Sequence, residues 1–412
     1  MNLDVRKSQI VQELETLATF SDTPAPAVTR IVFSEVDRKA RAWLKNLCIE
    51  AGLHVREDAV GNTFARWAGT SPELAAVGSG SHIDAIPHSG RFDGTVGVLG
   101  ALEAIRVLQR AGIRPRRSIE LLLFTSEEPT RFGIGCLGSR LLSGTLDLAR
   151  ATALRDGDGA SLDQLRAAAG FSGSLDSVAL PAAYYHAFVE LHIEQGPLLE
   201  RAGIPVGIVT AIAAPATLKF EIEGEGGHAG AVLMPDRRDA FLAAAEIALV
   251  VEAAAKGTGA IDTVGTVGIC EIFPGVVNGI PSLVRILADV RDTDLARRDA
   301  VLAVIQRRAE DIAAARRVGL RSQVLNADAP TETATLVVDA LRSSADACGL
   351  PYQTMVSRAY HDSLFMARVA PTGMLFIPCR AGVSHRPDEY AAPDDLEQGI
   401  RVLAATLNRL AN

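Results

Sequence analysis

The chain is 412 residues long, with a formal net charge of -8 and 5% aromatic residues. That length holds two domains of ordinary size and a substantial core. The acidic balance and the lack of any Lys/Arg run argue against a nucleic-acid binder, and no apolar stretch is long enough to cross a bilayer.

Residues Met1 to Phe20 mix charged and apolar positions at helical spacing. They lack the charged start, apolar middle and small-residue cleavage site of a signal peptide, so a cytoplasmic location is expected. The five cysteines (Cys48, Cys136, Cys270, Cys348 and Cys379) are scattered. No CxxC pair occurs, which indicates neither a disulfide framework nor a thiolate zinc site.

In chain order, the periodicity predicts helices near Val5 to Phe20 and Ser34 to Ala51. A hairpin is expected over Leu53 to Trp67, with Gly61-Asn62 as its turn. Leu74 to Ser81 is a short apolar run of the buried-strand kind, and it leads into Gly80-Ser-His82-Ile-Asp84. Gly94 to Ala111 is apolar at helical spacing, with Gly97 and Gly100 allowing close packing. Buried strands follow at Ser118 to Phe124 and Tyr185 to Leu191, separated by a helical stretch with loops from Leu137 to Ala169.

Beyond Ala211-Ala214 the character changes. A half-exposed strand (Leu218 to Glu223), an Ala-rich helix (Asp239 to Ala255), two strands (Thr263 to Phe273, Leu283 to Val290), a charged amphipathic helix (Asp294 to Ala314) and a last strand (Leu320 to Leu325) follow. This β-α-β-β-α-β order fits a ferredoxin-like α+β domain. Residues 214–328 are therefore expected as an inserted domain. Residues 1–213 and 329–412 would form one larger α/β domain, a mixed sheet flanked by helices. Its later elements are a helix from Glu332 to Gly349, strands near Gln353 to Ser357 and Gly373 to Pro378, and a final helix from Pro393 to Leu410.

Several apolar strands stop at residues that bind metals or move protons: His82, Glu127-Glu128, His192, and a loop bearing His385. In open α/β sheets the ligand site lies beyond the carboxyl ends of the strands. Histidine and carboxylate donors suit zinc, manganese and similar divalent ions, and a pair of ions can be bridged by one aspartate such as Asp93. Asp84, two residues after His82 in an extended segment, can sit behind its ring and fix the tautomer. Adjacent glutamates suggest that one binds an ion while the other handles protons. Each pattern alone also fits solvated loop charges. In the inserted region His228, Asn278 and Arg291 read either as substrate contacts or as a turn histidine, a turn asparagine and a surface ion pair with Asp292 or Asp294. His54 and His186 have no partner pattern and read as structural. His88 lies in the loop between His82 and Asp93 and reads as a cavity-lining residue at most.

Taken together, Gly80-Ser-His82-Ile-Asp84, Phe92-Asp93-Gly94, Ser126-Glu127-Glu128, His192-Ile-Glu-Gln-Gly-Pro197, Gly227-His228-Ala-Gly230 and His361-Asp362-Ser resemble the M20 metallopeptidase superfamily. The resemblance covers nearly the whole chain and is to the amidohydrolase branch that acts on N-carbamoyl amino acids, allantoate and ureidoglycolate. The stretches 80–90, 124–133, 210–216 and 357–368 resemble the ureidoglycolate-cleaving subgroup.

The resemblance implies His82 and His192 as ligands of one ion, Asp93 as the bridge, and Glu128 and His385 on the second ion. Glu127 would be the general base, with Asp84 orienting His82. Gln195, His228, Asn278, Arg291 and His361 would contact substrate, with His228 stabilising an oxyanion. The family implies two manganese ions, with zinc accommodated by the same donors, a small ureido acid as substrate, and a two-domain clamp in which the inserted domain serves as lid and dimerisation domain of a homodimer. Tyr360 replaces a small residue of the wider branch and should shrink the pocket, disfavouring long amino-acid side chains. An N-carbamoyl amino acid or allantoate is the nearest alternative substrate. A non-catalytic binding protein on the same fold would lack a ligand or the base, and none is missing.

Overall fold

The computed structural model describes residues 3–412. Contacts along the chain divide it into two compact units. The larger comprises residues through Thr210 with Glu332–Ser357 and His361–Asn412, and the smaller comprises Ala211–Thr331 with Arg358–Tyr360. Residues 358–360, expected with the larger domain, thus group with the smaller unit, where the Arg358 guanidinium donates to Asp262 at 2.6 Å.

The larger unit is built on a large mixed sheet. At its centre run four parallel strands, in the order Thr372–Ile377, Tyr185–Ile193, Ala76–His82 and Ile119–Phe124. These strands read as near-continuous apolar runs because both faces are covered, as expected for parallel strands. Ile119, Leu121 and Leu123 enter one core with the helices Thr95–Arg110 and Pro393–Ala411. Leu122 and Phe124 point the other way, into a second core with Leu137, Leu141 and Met366.

Antiparallel strands extend the sheet on both sides. Thr63–Trp67 pairs Ile119–Phe124, and Val206–Ile212 pairs Thr372–Ile377. The Val206–Ile212 strand was not anticipated, because its apolar run merges into the change of character near Ala211. The expected two-residue hairpin turn is a longer loop. The Asp58 carboxylate accepts from the backbone N–H groups of Val60, Gly61 and Asn62 and closes that loop, as an aspartate at a turn does.

The smaller unit has a four-stranded antiparallel sheet in the order Val264–Phe273, Leu283–Asp292, Ala214–Glu223, Gly319–Ala327. Alternate residues Val284, Ile286, Ala288 and Val290 pack with Ile247, Val251, Ile305 and Ala309 of two helices, Ala240–Gly257 and Leu295–Arg316. The opposite face is polar, with Glu221 held by Arg285 and Arg321. Both helices begin one residue later than read, because Asp239 and Asp294 are caps whose carboxylates accept backbone N–H groups of the first turn. Among the described residues no helix is long and apolar enough to cross a membrane.

Candidate metal centre

The four parallel strands deliver their carboxyl ends to one edge of the sheet. His82 ends its strand opposite Phe124, and His192 lies beside Phe376 in register. Glu127 and Glu128 follow Phe124 after Thr125 and Ser126, and His385 sits in the loop after Ile377. Asp93 enters from the loop before the helix Thr95–Arg110. Gly94 allows this: its φ is +66°, and a Cβ there would lie 2.5 Å from the His82 ring, so only glycine fits.

Asp93 stands between two donor groups. Its Oδ1 is 3.1 Å from His192 Nε2 and 3.6 Å from His82 Nε2. Its Oδ2 is 3.0 Å from His385 Nε2, which is itself 3.3 Å from Glu128 Oε1. Each set offers three converging ligand atoms. Glu127 Oε2 lies 3.7 Å from His82 Nε2, and its other oxygen faces the Cys136 thiol at 3.6 Å.

The donors fit cations by their own chemistry. His82 Nδ1 faces the carbonyl of Asp84 at 3.0 Å and His192 Nδ1 faces that of Ile193 at 2.9 Å. Both Nδ1 atoms must therefore carry protons, which leaves each neutral ring's lone pair on Nε2. The backbone N–H of Gly94 points at the same Nε2 of His192, at 3.1 Å. Lone pairs aimed at a carboxylate oxygen repel unless a proton or a metal ion lies between.

The charge balance makes the same demand. Burial opposes charge on His82 and His192, but Glu127 and Asp93 for the first, and Asp93 for the second, outweigh it and raise both. His385 is raised to about 11 by its hydrogen bonds to Asp93 and Glu128. Burial would raise Asp93, yet the three imidazoles hold it well below the usual carboxylate range. Glu127 is the exception: burial, with Glu128, Asp362 and Asp93 nearby, drives it well above that range against the pull of His82.

One expected contact is corrected. The Asp84 backbone carbonyl, not its carboxylate, accepts from His82; the carboxylate Oδ1 is 3.7 Å away. That carboxylate accepts instead the backbone N–H groups of Glu127 and Glu128, at 3.2 and 3.0 Å. The chain leaves the strand at His82, so the same-face rule of extended backbone no longer applies to Asp84. Gln195, expected on substrate, donates its amide to Asp93 Oδ2 at 2.9 Å and to Ser384 Oγ at 3.2 Å. The opposite amide orientation would set oxygen against carboxylate.

His361 is buried with its ring centroid 4.5 Å from that of His192, and its Nε2 lies 3.0 Å from Ser357 Oγ. The remaining predicted residues belong to the smaller unit. His228 is exposed on a two-residue strand that pairs with Gly279–Ile280, and its Nδ1 accepts from the Gly230 N–H at 3.1 Å. Asn278 is exposed beside it, its carbonyl accepting from Ala229 N–H at 2.9 Å. Arg291 pairs with Asp289, Nε to Oδ1 at 2.7 Å, rather than with Asp292 or Asp294; Asp292 is taken by Arg297. The Arg291 guanidinium also lies 5.4 Å from the centre of the Tyr360 ring, within cation–π range.

Sequence reasoning missed Glu190, Ser384, Asp362 and Glu389. Glu190 is buried and accepts from Ser81 Oγ at 2.7 Å and Ser363 Oγ at 2.6 Å. Its position two residues before His192 in a strand was a usable signal. Asp362 is buried and raised to about 8, first by burial and then by Glu190. Glu389 is raised to about 7 by burial and by Asp93.

Residues 78–409 match the model of peptidase family M20/M25/M40. The chain is 53% identical to ureidoglycolate hydrolase of Arabidopsis thaliana, covering 100% of this chain and 88% of that protein. It is 40% identical to N-carbamoyl-L-amino acid amidohydrolase of Geobacillus stearothermophilus, over 99% of both chains. The crystal structure of AtUAH in complex with (S)-hydroxyglycine superposes with a TM-score of 0.95 at 52% identity, covering 99% of this chain and 98% of the other. A two-sided donor set on Asp93, presented by parallel strand ends, and a match spanning most of the sequence lead to one assignment: the chain belongs to peptidase family M20/M25/M40.

Proposed function

We propose that this chain is a metal-dependent amidohydrolase that cleaves the ureido carbon–nitrogen bond of ureidoglycolate. The observation that carries the reading is the whole-length similarity to ureidoglycolate hydrolase, well above that to the N-carbamoyl amino acid enzyme. His82, Asp93 and His192 would hold one divalent ion, and Asp93, Glu128 and His385 a second. Manganese is the ion of choice from the family resemblance, and the donors suit zinc equally. Bound there, such ions supply Lewis acidity toward a carbonyl oxygen and a water.

Glu127 takes a proton from the attacking water and returns it to the leaving nitrogen. Its place beside the donor set, and a burial that favours holding a proton, support this role. Water adds to the ureido carbonyl carbon, and the bond from that carbon to the internal nitrogen breaks. Carbamate and hydroxyglycine leave. Carbamate decomposes to carbon dioxide and ammonia, and hydroxyglycine to glyoxylate and a second ammonia. His228 would stabilise the oxyanion, with Asn278, Arg291, Tyr360 and His361 shaping recognition of the acid. A substrate carboxylate meeting Arg291 would have to use its Nη1–Nη2 edge or displace Asp289. Gln195, whose amide donates to Asp93, would join those residues in contacting substrate.

A cytoplasmic location and a homodimer complete the reading. The exposed apolar side chains Ile269, Ile272 and Phe273 on the edge strand Val264–Phe273 support a partner at that edge. The functional test is ammonia release by metal-stripped protein, with manganese or zinc restored, from ureidoglycolate, allantoate and an N-carbamoyl amino acid. Ureidoglycolate should be turned over fastest. A preference for either alternative would overturn the substrate assignment.

A further inference from the structure

Glu389 lies outside both donor groups yet touches the loop that carries the bridging aspartate. Its carboxylate is buried. Oε1 accepts two successive backbone N–H groups, from Phe92 at 2.7 Å and from Asp93 at 3.1 Å. Oε2 lies 2.8 Å from Ser384 Oγ. That hydroxyl is also 3.1 Å from Asp93 Oδ2, so one proton serves two carboxylates. Among the described residues no Lys, Arg or His stands within ion-pair distance of Glu389. A buried carboxylate compensated by N–H and O–H groups alone is costly to keep. The loop is moulded to it: a Cβ on Gly90 would lie 2.3 Å from Glu389 Cβ and 2.4 Å from Oε1.

We propose that Glu389 is a positioning residue that fixes Asp93 from behind, through its backbone N–H and through Ser384, so that both carboxylate oxygens face their donor groups before any ion arrives. This rests on the reading that Asp93 bridges the ions. The backbone anchor sets where the Asp93 Cα stands. The Ser384 hydroxyl, with the Gln195 amide, sets the rotation of the carboxylate about its last bond. Outer contacts of this kind orient ligands and typically carry 10–100-fold in metal affinity.

The test measures manganese and zinc affinity by chelator competition, with a melting curve of each metal-free protein beside it. Glu389→Gln keeps an acceptor for the two N–H groups but presents an amide to Ser384. It should weaken metal binding roughly 10–100-fold and leave the metal-free melting temperature near that of the parent. Saturating metal should restore kcat, with KM for substrate unchanged. Ser384→Ala should weaken binding less, and the double variant should fall short of the product of the two effects, because both act through one proton. Glu389→Asp, which keeps the charge but shortens the reach, should bind metal more weakly than the parent. Unchanged metal affinity in Glu389→Gln, or a lowered metal-free melting temperature with affinity intact, would overturn the proposal and leave Glu389 a fold residue. Failure of the parent protein itself to bind metal would instead overturn the ligand assignment, and this inference with it. The choice among ureido substrates affects none of these readouts.

Discussion

Two side chains decide the chemistry and the recognition separately. Glu127→Gln removes the proton carrier but keeps size and shape, so bound metal should be unchanged while turnover falls roughly 10²–10⁴-fold. Metal analysis and steady-state kinetics on one preparation check this; near-normal turnover would remove Glu127 from the base role. Arg291→Lys tests recognition. A lysine cannot reproduce a planar two-point contact or its stacking on Tyr360. KM for ureidoglycolate should rise about tenfold or more, the scale of a lost charge-assisted hydrogen bond, with metal content unaltered. A partly exposed ion pair to Asp289 alone would be worth about 0–1 kcal/mol of stability, so a variant with parental kinetics would reduce Arg291 to that pairing. The ligand residues were legible because each sits at the end of an apolar run, a pattern visible in one dimension. Glu389 and Ser384 were not. They bracket His385 in a loop without periodicity, and their partner Asp93 is 291 residues away from Ser384 along the chain.

At the level of helices and strands, the glycines read as close-packing positions can be tested directly. Gly97 opens the helix Thr95–Arg110 toward the sheet, and a Cβ there would lie 2.4 Å from the carbonyl oxygen of Leu191. Gly97→Ala gains about 1 kcal/mol in helix propensity. It loses more, because the obstacle is backbone and cannot swing aside; overpacking costs about 1–3 kcal/mol. The melting temperature should fall. Metal affinity should fall with it, since the displaced strand carries His192 one residue on. A stabilised variant would mean that helix and strand are not in the contact described. Gly112, with φ +71° and open space around its Cβ position, is the contrasting case in which only backbone strain is at stake. Strand existence was readable from burial on both faces, whereas the order of strands in the sheet and the antiparallel Val206–Ile212 strand depend on pairings that no local pattern encodes.

For the whole molecule, all five proposed metal ligands belong to the larger unit. Calorimetry should therefore treat the two units differently. An ion at 100 times its dissociation constant adds about 2.7 kcal/mol to whatever it binds. Chelation, or the substitution Asp93→Ala, should lower the transition of the larger unit and leave that of the smaller one in place. Two transitions moving together by the same amount would place part of the metal-linked stability in the smaller unit. The melting temperature that compares variants of Glu389, Ser384 and Gly97 is therefore that of the larger unit's transition.

The parallel strand ends that gather the donors also impose an order on biosynthesis. A nascent chain emerges from its amino terminus and folds by domains. His82, Asp93, Glu128 and His192 are released early, but the strand Thr372–Ile377 and the loop with His385 come only after the whole intervening unit has been made. Until then one donor set is whole while the second lacks its histidine. Glu389, the anchor of the bridging aspartate, is still unmade. With Asp93 not yet anchored, neither proposed ion would be held firmly, so hydrolysis would wait until the loop bearing His385 and Glu389 has been made.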